Sequence, residues 1–324
     1  MLTRRLALAA CAGLALPGPA ALAAAPGGFA DFLAGLRAEA RRAGVSDATF
    51  EQAFAGVQPS PRVLELDRHQ PEFTLTWAQY RARVITEPKI ARGRAAFDRS
   101  RTLLLTIGER FRVNPSVIVG IWGMETAFGQ ITGGFNVIQS LATLAYDGRR
   151  SAFFRGQLIA ALRILQHGDI SVAAMTGSYA GAMGQPQFMP DSYLRYAVDF
   201  TGDGRRDIWG NLADVFASIA NYLHQNGWRV NQPSAQPVRL PLGFDPDLTG
   251  RDQPRSLGAW QRLGVRRADG SAFGRADVAG AVLLPDGPGG EAFMVYANFA
   301  AIRRYNPSDD YALGVGLLGD LVTA

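Results

Sequence analysis

Apolar residues recur at helical spacing along most of the chain. Between Phe29 and Phe54, Phe32, Leu33, Leu36 and Ala40 share one face, and Gly44 followed by Ser46 and Asp47 marks a turn and a new N-cap, so a helical hairpin is predicted. Further helices are predicted over Lys89 to Phe111, over Asn114 to Gly129 and over Ser151 to Gly168, the last with Phe153, Phe154, Leu158, Leu162 and Leu165 on one side. Helical patterning dominates to about Trp228. From Asn231 to Gly290 prolines and glycines multiply, the helical period fades, and short runs such as Val238 to Leu242 and Gly280 to Leu284 read as strands. Leu313, Val315, Leu317, Leu318 and Leu321 then restore the helical period over Tyr311 to Thr323. The predicted protein is mainly α, with a helical body over 24–230, a small inserted β-rich domain over 231–290 and a return to the helical body over 291–324.

The segment NPSVIVGIWGMETAFG, Asn114 to Gly129, holds the position where this pattern breaks. Asn114 can cap its start, Pro115 suits a first helical turn and Gly129 can end it. Ile118, Ile121 and Trp122 make the apolar face, and four residues past Ile121 stands Glu125, where the spacing calls for a hydrophobe. Burial there would raise the carboxyl's pKa and let it hold a proton near neutral pH, as general-acid chemistry requires. The competing reading is a satisfied core or helix-end glutamate.

With 324 residues, 48% hydrophobic and 19% charged, the chain reads as globular and long enough for two domains or for one with an insertion. Residues 1–23 read as a secretory signal peptide: Arg4 and Arg5 precede an apolar run from Leu6 to Leu16, and Ala21, Leu22 and Ala23 form a small-residue cleavage site, with Ala25 as the alternative. Thr3, Arg4 and Arg5 also fit twin-arginine export, and the choice of route stays open. The one cysteine, Cys11, falls inside the discarded run, so lipid anchoring there is not expected and the mature chain has no disulfide. No later segment offers the roughly 18 uninterrupted apolar residues that span a bilayer. Losing Arg4 and Arg5 lowers the formal charge from +5 to +3, and the remaining basic residues are scattered, which argues against a nucleic-acid groove. An exported, periplasmic protein is predicted.

Two further segments carry polar chemistry. GSYAGAMGQPQFMPDSYLRYAVDF, Gly177 to Phe200, suits a loop lining a cleft, in which Ser178, Gln187 and backbone amides could bind a polar ligand, while Met183, Phe188 and Met189 read first as core packing. Tyr80, Tyr179, Tyr222, Tyr305 and Tyr311 are available as aromatic platforms. DFTGDGRRD resembles a calcium loop: Asp199, Thr201 and Asp203 take the first, third and fifth positions, Gly204 the sharp turn, Arg205 the carbonyl position and Asp207 the ninth. Gly210 replaces the usual final glutamate, and Asp214 could supply the distal carboxylate. A metal-free, Asx-rich turn is the alternative. His69, His167 and His224 lack zinc-ligand spacing, and neither a GxSxG elbow nor a phosphate-binding glycine loop is present.

IVGIWGMETAFG, FNVIQSLATLAYDGRRSAFF, GSYAGAMGQPQFMPDSYLRYAVDFTGDGRRDIW, ANYLHQNGW and NFAAIRRYNPSDDYALGVGLL stand in this order over most of the mature chain. Together they resemble the membrane-bound lytic murein transglycosylase B family, glycoside hydrolase family 103. The resemblance implies a lysozyme-like helical catalytic core with additional N-terminal helices and a small β-domain. It implies Glu125 as the sole catalytic acid, in the family's GxETxxG motif, and sugar contacts at Ser178, Gln187 and the neighbouring Phe188. Tyr80 matches a tyrosine near the carboxylate, Tyr222 the aromatic of an ANY motif, and Tyr305, Asn306 and Tyr311 sugar-binding and acid-positioning groups. Asp199, Thr201, Asp203, Arg205, Asp207 and Asp214 map onto an EF-hand-like loop for structural calcium, which the chemistry does not need. Gln185 and Pro186 depart from the Tyr and Gly frequent in relatives, and Arg149 and Arg150 suggest contacts with peptidoglycan peptides.

The implied reaction is non-hydrolytic cleavage of the β-1,4 bond between N-acetylmuramic acid and N-acetylglucosamine, leaving a 1,6-anhydro end. The implied partners are peptidoglycan strands and other cell-wall enzymes, for a monomer. A hydrolytic muramidase and a non-catalytic wall-binding scaffold are the alternatives.

Overall fold

The computed structural model describes residues 28–68 and 75–324; the expected signal peptide at 1–23, with Cys11, lies outside them. The first six helices are α1 (Phe29–Arg42), α2 (Asp47–Phe54), α3 (Pro61–Arg68), α4 (Trp77–Val84), α5 (Glu87–Phe111) and α6 (Pro115–Thr126). Strand β1 (Phe135–Asn136), α7 (Val137–Asp147), α8 (Ser151–His167), β2 (Thr176–Gly177), α9 (Pro190–Tyr196) and α10 (Leu212–Gln225) follow. The remainder is β3 (Ala235–Arg239), β4 (Arg255–Ser256), α11 (Leu257–Arg262), β5 (Arg266–Arg267), β6 (Ala279–Leu283), β7 (Ala292–Val295), α12 (Ala297–Tyr305) and α13 (Asp309–Thr323). The described chain forms two units, residues 28–68 with Glu125–Asn221, and residues 75–124 with Tyr222–Ala324.

In the first unit, α7 and α8 are joined by a short turn at Gly148 and pack on each other, with α1, α2, α3 and α9 around them. Asn136 caps α7 by accepting from the Gln139 amide at 2.9 Å. Leu141, Leu144, Leu158, Leu162 and Ile164 form the core of the pair. The buried stripe of α8 runs through Phe154, Gln157, Leu158 and Ala161, whereas Phe153, expected on the same side, is 44% exposed. Adjacent residues point about 100° apart on a helix, so only one of two neighbouring phenylalanines can enter the stripe. At the end of α3, the buried carboxylate of Asp67 accepts from Arg149 and, at 2.7 Å, from Arg150. Both arginines of the pair thus anchor this carboxylate, with the Arg149 side chain still about half exposed.

In the second unit, five antiparallel strands lie in the order β4-β6-β7-β3-β5. Trp260, Val265, Val282 and Met294 are fully buried on one side of this sheet, where the Trp260 indole donates to the Gly280 carbonyl at 2.8 Å. Phe293 of β7 meets Trp77 of α4 edge-on at 5.7 Å. The β-rich segment therefore reaches past Gly290 to Val295 before helix resumes. Both strands lie earlier than the runs suggested: β6 ends at Leu283, one residue before Leu284, and β3 ends at Arg239, three before Leu242, which lies in an exposed turn.

Helix α6 is buried all round from Val117 to Gly123, where the sequence pattern suggested a single apolar face. The space is closed by α13. A Cβ on Gly120 would lie 2.4 Å from the Val315 carbonyl oxygen, and one on Gly319 2.2 Å from the Ser116 carbonyl oxygen, so two glycines let the backbones touch. The Asn114 side chain accepts from the Trp228 indole at 3.2 Å.

Asp310, in the first turn of α13, has its pKa pushed up to about 6 by burial, then by the charges of Asp286 and Asp309. Below the unfolded value near 3.8 it is protonated in both states and costs nothing; above about 6 the folded state carries the full cost of the buried charge. Stability contributed at acid pH is therefore lost as pH rises from about 4 to 6. Because the group is partly exposed, the effect is discounted to about 1 kcal/mol. Asp310→Asn is expected to raise Tm at pH 7.5 and to match the parent at pH 4 in thermal melts.

Candidate functional site

Glu125 is the penultimate residue of α6 and is half-buried, two residues beyond the buried run that ends at Gly123. The helix stops at Thr126, three residues before the glycine expected to end it. Ala127, Phe128 and Gly129 all adopt left-handed backbone, with φ of 50°, 63° and 79°. For alanine and phenylalanine this costs about 1–2 kcal/mol each through the Cβ contact with the following carbonyl. Two bonds to Thr126 hold the turn: its Oγ1 accepts from the Gly129 amide at 3.1 Å and its carbonyl from the Ile131 amide at 2.9 Å. Thr126 is fully buried.

The loop expected to line a cleft is more structured and more buried than its composition suggested. Gly177 and Phe188 each bridge to Met183, Ala180 to Pro186 are buried, and Pro190 opens α9. Ser178 accepts from the Ala182 amide at 3.0 Å through its hydroxyl oxygen, which can still donate outward. Gln187, at φ 54°, gives its Nε2 hydrogens to the Gly184 carbonyl at 2.6 Å and the Thr132 carbonyl at 3.1 Å. Phe188 is 2% exposed and Met183 fully buried, so both belong to the core, and Phe188 offers no ring face to a sugar. Gly133, at φ 88°, passes so close to Gly177 that a Cβ would meet its carbonyl oxygen at 2.1 Å. The first unit therefore stitches the backbone after Glu125 to the loop carrying Ser178 and Gln187.

In the second unit the rings of Tyr222 and Tyr305 pack at 4.7 Å, tilted 58° to each other, and the Tyr222 hydroxyl donates to the Arg304 carbonyl at the end of α12. Asn306 is buried and accepts from the Ser308 amide at 3.1 Å, turning the chain into α13. Tyr80 packs against Trp77 and the space left by Gly314, one helical turn beyond the buried Tyr311. Of these five residues only Tyr305 keeps a partly exposed side chain; Tyr80, Tyr222, Asn306 and Tyr311 are buried and tie together α4, α10, α12 and α13.

The DFTGDGRRD segment folds as a tight loop. Asp199 accepts from the amides of Gly202 at 2.6 Å, Asp203 at 3.2 Å and Gly204 at 2.8 Å. Burial opposes its ionisation, but these amides outweigh it and lower its pKa. Asp214, fully buried, accepts from the Phe200 amide at 2.8 Å and the Asp207 amide at 2.9 Å, and burial first, with the charge of Asp199 adding to it, raises its pKa. Asp203 accepts from the Arg205 amide, and Asp207 from the Trp209 and Gly210 amides. The donor set suits a hard cation chemically. Its carboxylates are nevertheless turned to the loop's own amides, and among the described residues no three acidic, His or Cys side chains converge as a metal cluster. Asp214 serves here as the loop's internal staple.

A lysozyme-like helical scaffold that sets one carboxylate at the end of a buried helix, beside a glycine-rich polar loop, defines a glycan-cleaving class of enzyme. The model of the transglycosylase SLT domain family matches residues 28–320, and the chain belongs to that family. The membrane-bound lytic murein transglycosylase B of Escherichia coli (strain K12) is 33% identical over 259 residues, 76% of this chain and 67% of that protein. The crystal structure of SltB3 from Pseudomonas aeruginosa in complex with NAG-anhNAM-pentapeptide superposes with a TM-score of 0.89 at 46% identity, covering 91% of this chain and 80% of SltB3. The Escherichia coli lytic transglycosylase Slt35 in complex with calcium gives a TM-score of 0.77 at 29% identity, covering 92% and 94%. The protein is an enzyme of the lytic transglycosylase class. Thr126 stands in the GxETxxG motif beside Glu125, but nothing in the sequence marked the left-handed turn that it holds.

Proposed function

We propose that this enzyme cleaves the β-1,4 bond between N-acetylmuramic acid and N-acetylglucosamine in peptidoglycan without water, with Glu125 as its only acid and base. The observation that carries the reading is a half-buried carboxylate ending an otherwise apolar helix in a transglycosylase chain. Glu125, arriving protonated, gives its proton to the departing O4 as the C1–O4 bond breaks, while the sugar's own N-acetyl oxygen stabilises C1. The C6 hydroxyl then attacks C1 from within the same sugar and returns its proton to Glu125. One bond to C1 is lost, one is gained, and the carboxyl ends as it began. The relative captured with an anhNAM-containing fragment supports the anhydro product.

Ser178 of the first unit, which keeps a donor hydrogen, and the partly exposed Tyr305 of the second are the sugar-binding groups of this reading, and Tyr80, Tyr222, Asn306 and Tyr311 hold the framework of the second unit. Digests of purified sacculi examined by mass spectrometry test it: muropeptides one water lighter than hydrolysed ones are expected. Products at the hydrolysed mass would make the enzyme a muramidase, and no release would make it a binding scaffold. The enzyme acts in the periplasm as a monomer after loss of residues 1–23.

Calcium binding at the Asp199 loop is the finer part of the proposal, supported by its oxygen-rich residues and by the relative bound to calcium. The carboxylates of Asp199 and Asp203 would have to leave their amides to reach the ion. For affinities near ~1 mM, ~10 mM calcium would stabilise the protein by about 1.4 kcal/mol, a rise of a few degrees in Tm over a chelated sample. Equal melting temperatures with calcium and with chelator would leave the loop a metal-free turn.

A further inference from the structure

We propose that Thr126 and Gln187 are positioning residues for Glu125, holding the turn that follows it. This rests on Glu125 being the acid and base. The turn is not one the chain would choose: Ala127 and Phe128 sit at positive φ, where an L side chain meets its own backbone. It persists because the surroundings over-determine it. From the helix side, Thr126 accepts from the Gly129 amide through Oγ1 and from the Ile131 amide through its carbonyl, at 3.1 and 2.9 Å. From the loop side, Gln187 places one amide nitrogen between the Thr132 carbonyl at 3.1 Å and the Gly184 carbonyl at 2.6 Å, tying the segment after the turn to the Gly177–Pro190 region.

Gln187 adopts left-handed backbone itself, which aims its side chain inward at these two carbonyls. Both Nε2 hydrogens are spent there, so its donors face the protein backbone. Thr126 is fully buried and cannot touch a polymer. The two side chains thus grip one short stretch, residues 126–132, from opposite ends. The carboxyl that must first give a proton to one oxygen and then take it from another is attached one residue before that stretch. Displacements near 1 Å at a proton-transfer group cost about 10²-fold in rate.

Thr126→Val keeps the volume and removes the Oγ1 acceptor. It is expected to lower kcat by about 10- to 100-fold with KM on a soluble glycan substrate within about twofold of the parent. Thr126→Ser, which restores the acceptor, should recover most of that loss. Gln187→Met, which fills the space without a donor, should also lower kcat and leave KM. If Thr126→Val does not fold, the Gln187→Met kinetics decide by the same split. The proposal is overturned by parental kcat in these variants, by a raised KM at unchanged kcat, which is the signature of a sugar contact, or by Thr126→Ser failing as Thr126→Val does. Glu125→Gln run alongside separates the two ideas. If it is inactive while Thr126→Val is fully active, only the positioning role falls; if it turns over normally, the catalytic reading falls.

Discussion

Replacing Glu125 with glutamine is expected to lower muropeptide release by at least ~10³-fold, because one carboxyl serves both proton transfers and each such transfer contributes about 10²–10⁴. The substitution keeps the shape of a half-buried side chain and removes only the transferable proton. Melting temperature should stay within a degree or two of the parent, and the variant should still sediment with sacculi. That combination, intact fold and binding with lost turnover, distinguishes chemistry from structure. A satisfied helix-end glutamate, the competing reading of the sequence, predicts the reverse: a lower melting temperature and near-normal release from the surviving enzyme.

Gly319→Ala is expected to destabilise the protein by about 2 kcal/mol, a fall of several degrees in Tm. Helix propensity alone predicts a gain approaching ~1 kcal/mol for glycine to alanine inside a helix, so the sign of the effect is informative. The added Cβ would sit 2.2 Å from the Ser116 carbonyl oxygen, a backbone atom that cannot rotate away, and α13 would have to retreat from α6. Gly120→Ala meets the Val315 carbonyl at 2.4 Å on the same crossing. Once one substitution has separated the helices, the second costs less, so the double variant should fall short of the sum of the singles. Because α6 carries Glu125 at its end, kcat should drop in the folded fraction as well. Stabilisation by Gly319→Ala in thermal melts would show that the close crossing carries no weight.

The helical hairpin at Phe29–Phe54, the break in helical period after Trp228 and the C-terminal helix were legible because each is written as spacing along the chain. Glu125 was legible for a related reason, as a carboxylate intruding on an apolar repeat. The end of α6 was not: Gly129 is a good terminator, yet the helix closes three residues earlier because Thr126 captures two later amides and pulls Ala127 and Phe128 into backbone they would not choose alone. Phe153 and Phe154 are indistinguishable by hydropathy, and only packing decides which is buried. The GSYAGAMG loop read as a surface because its residues are small and polar. It is mostly interior, since glycines such as Gly177 and Gly181 let other backbone and side chains approach where a Cβ would collide. Of the tyrosines read as sugar platforms, Tyr80, Tyr222 and Tyr311 bury their rings while Tyr179 and Tyr305 do not, a distinction that residue identity does not carry. Asp214 read as a metal ligand because carboxylates are what such loops use, while its partners Phe200 and Asp207 are amides that no motif records.

Digestion of sacculi in heavy-oxygen water tests the central claim most directly. Intramolecular attack by the C6 hydroxyl predicts anhydro-ended products that carry no heavy oxygen, formed by the parent enzyme and lost with Glu125→Gln. Reducing-end products that have taken up one heavy oxygen per cut would mean that water is the nucleophile, and would contradict the account.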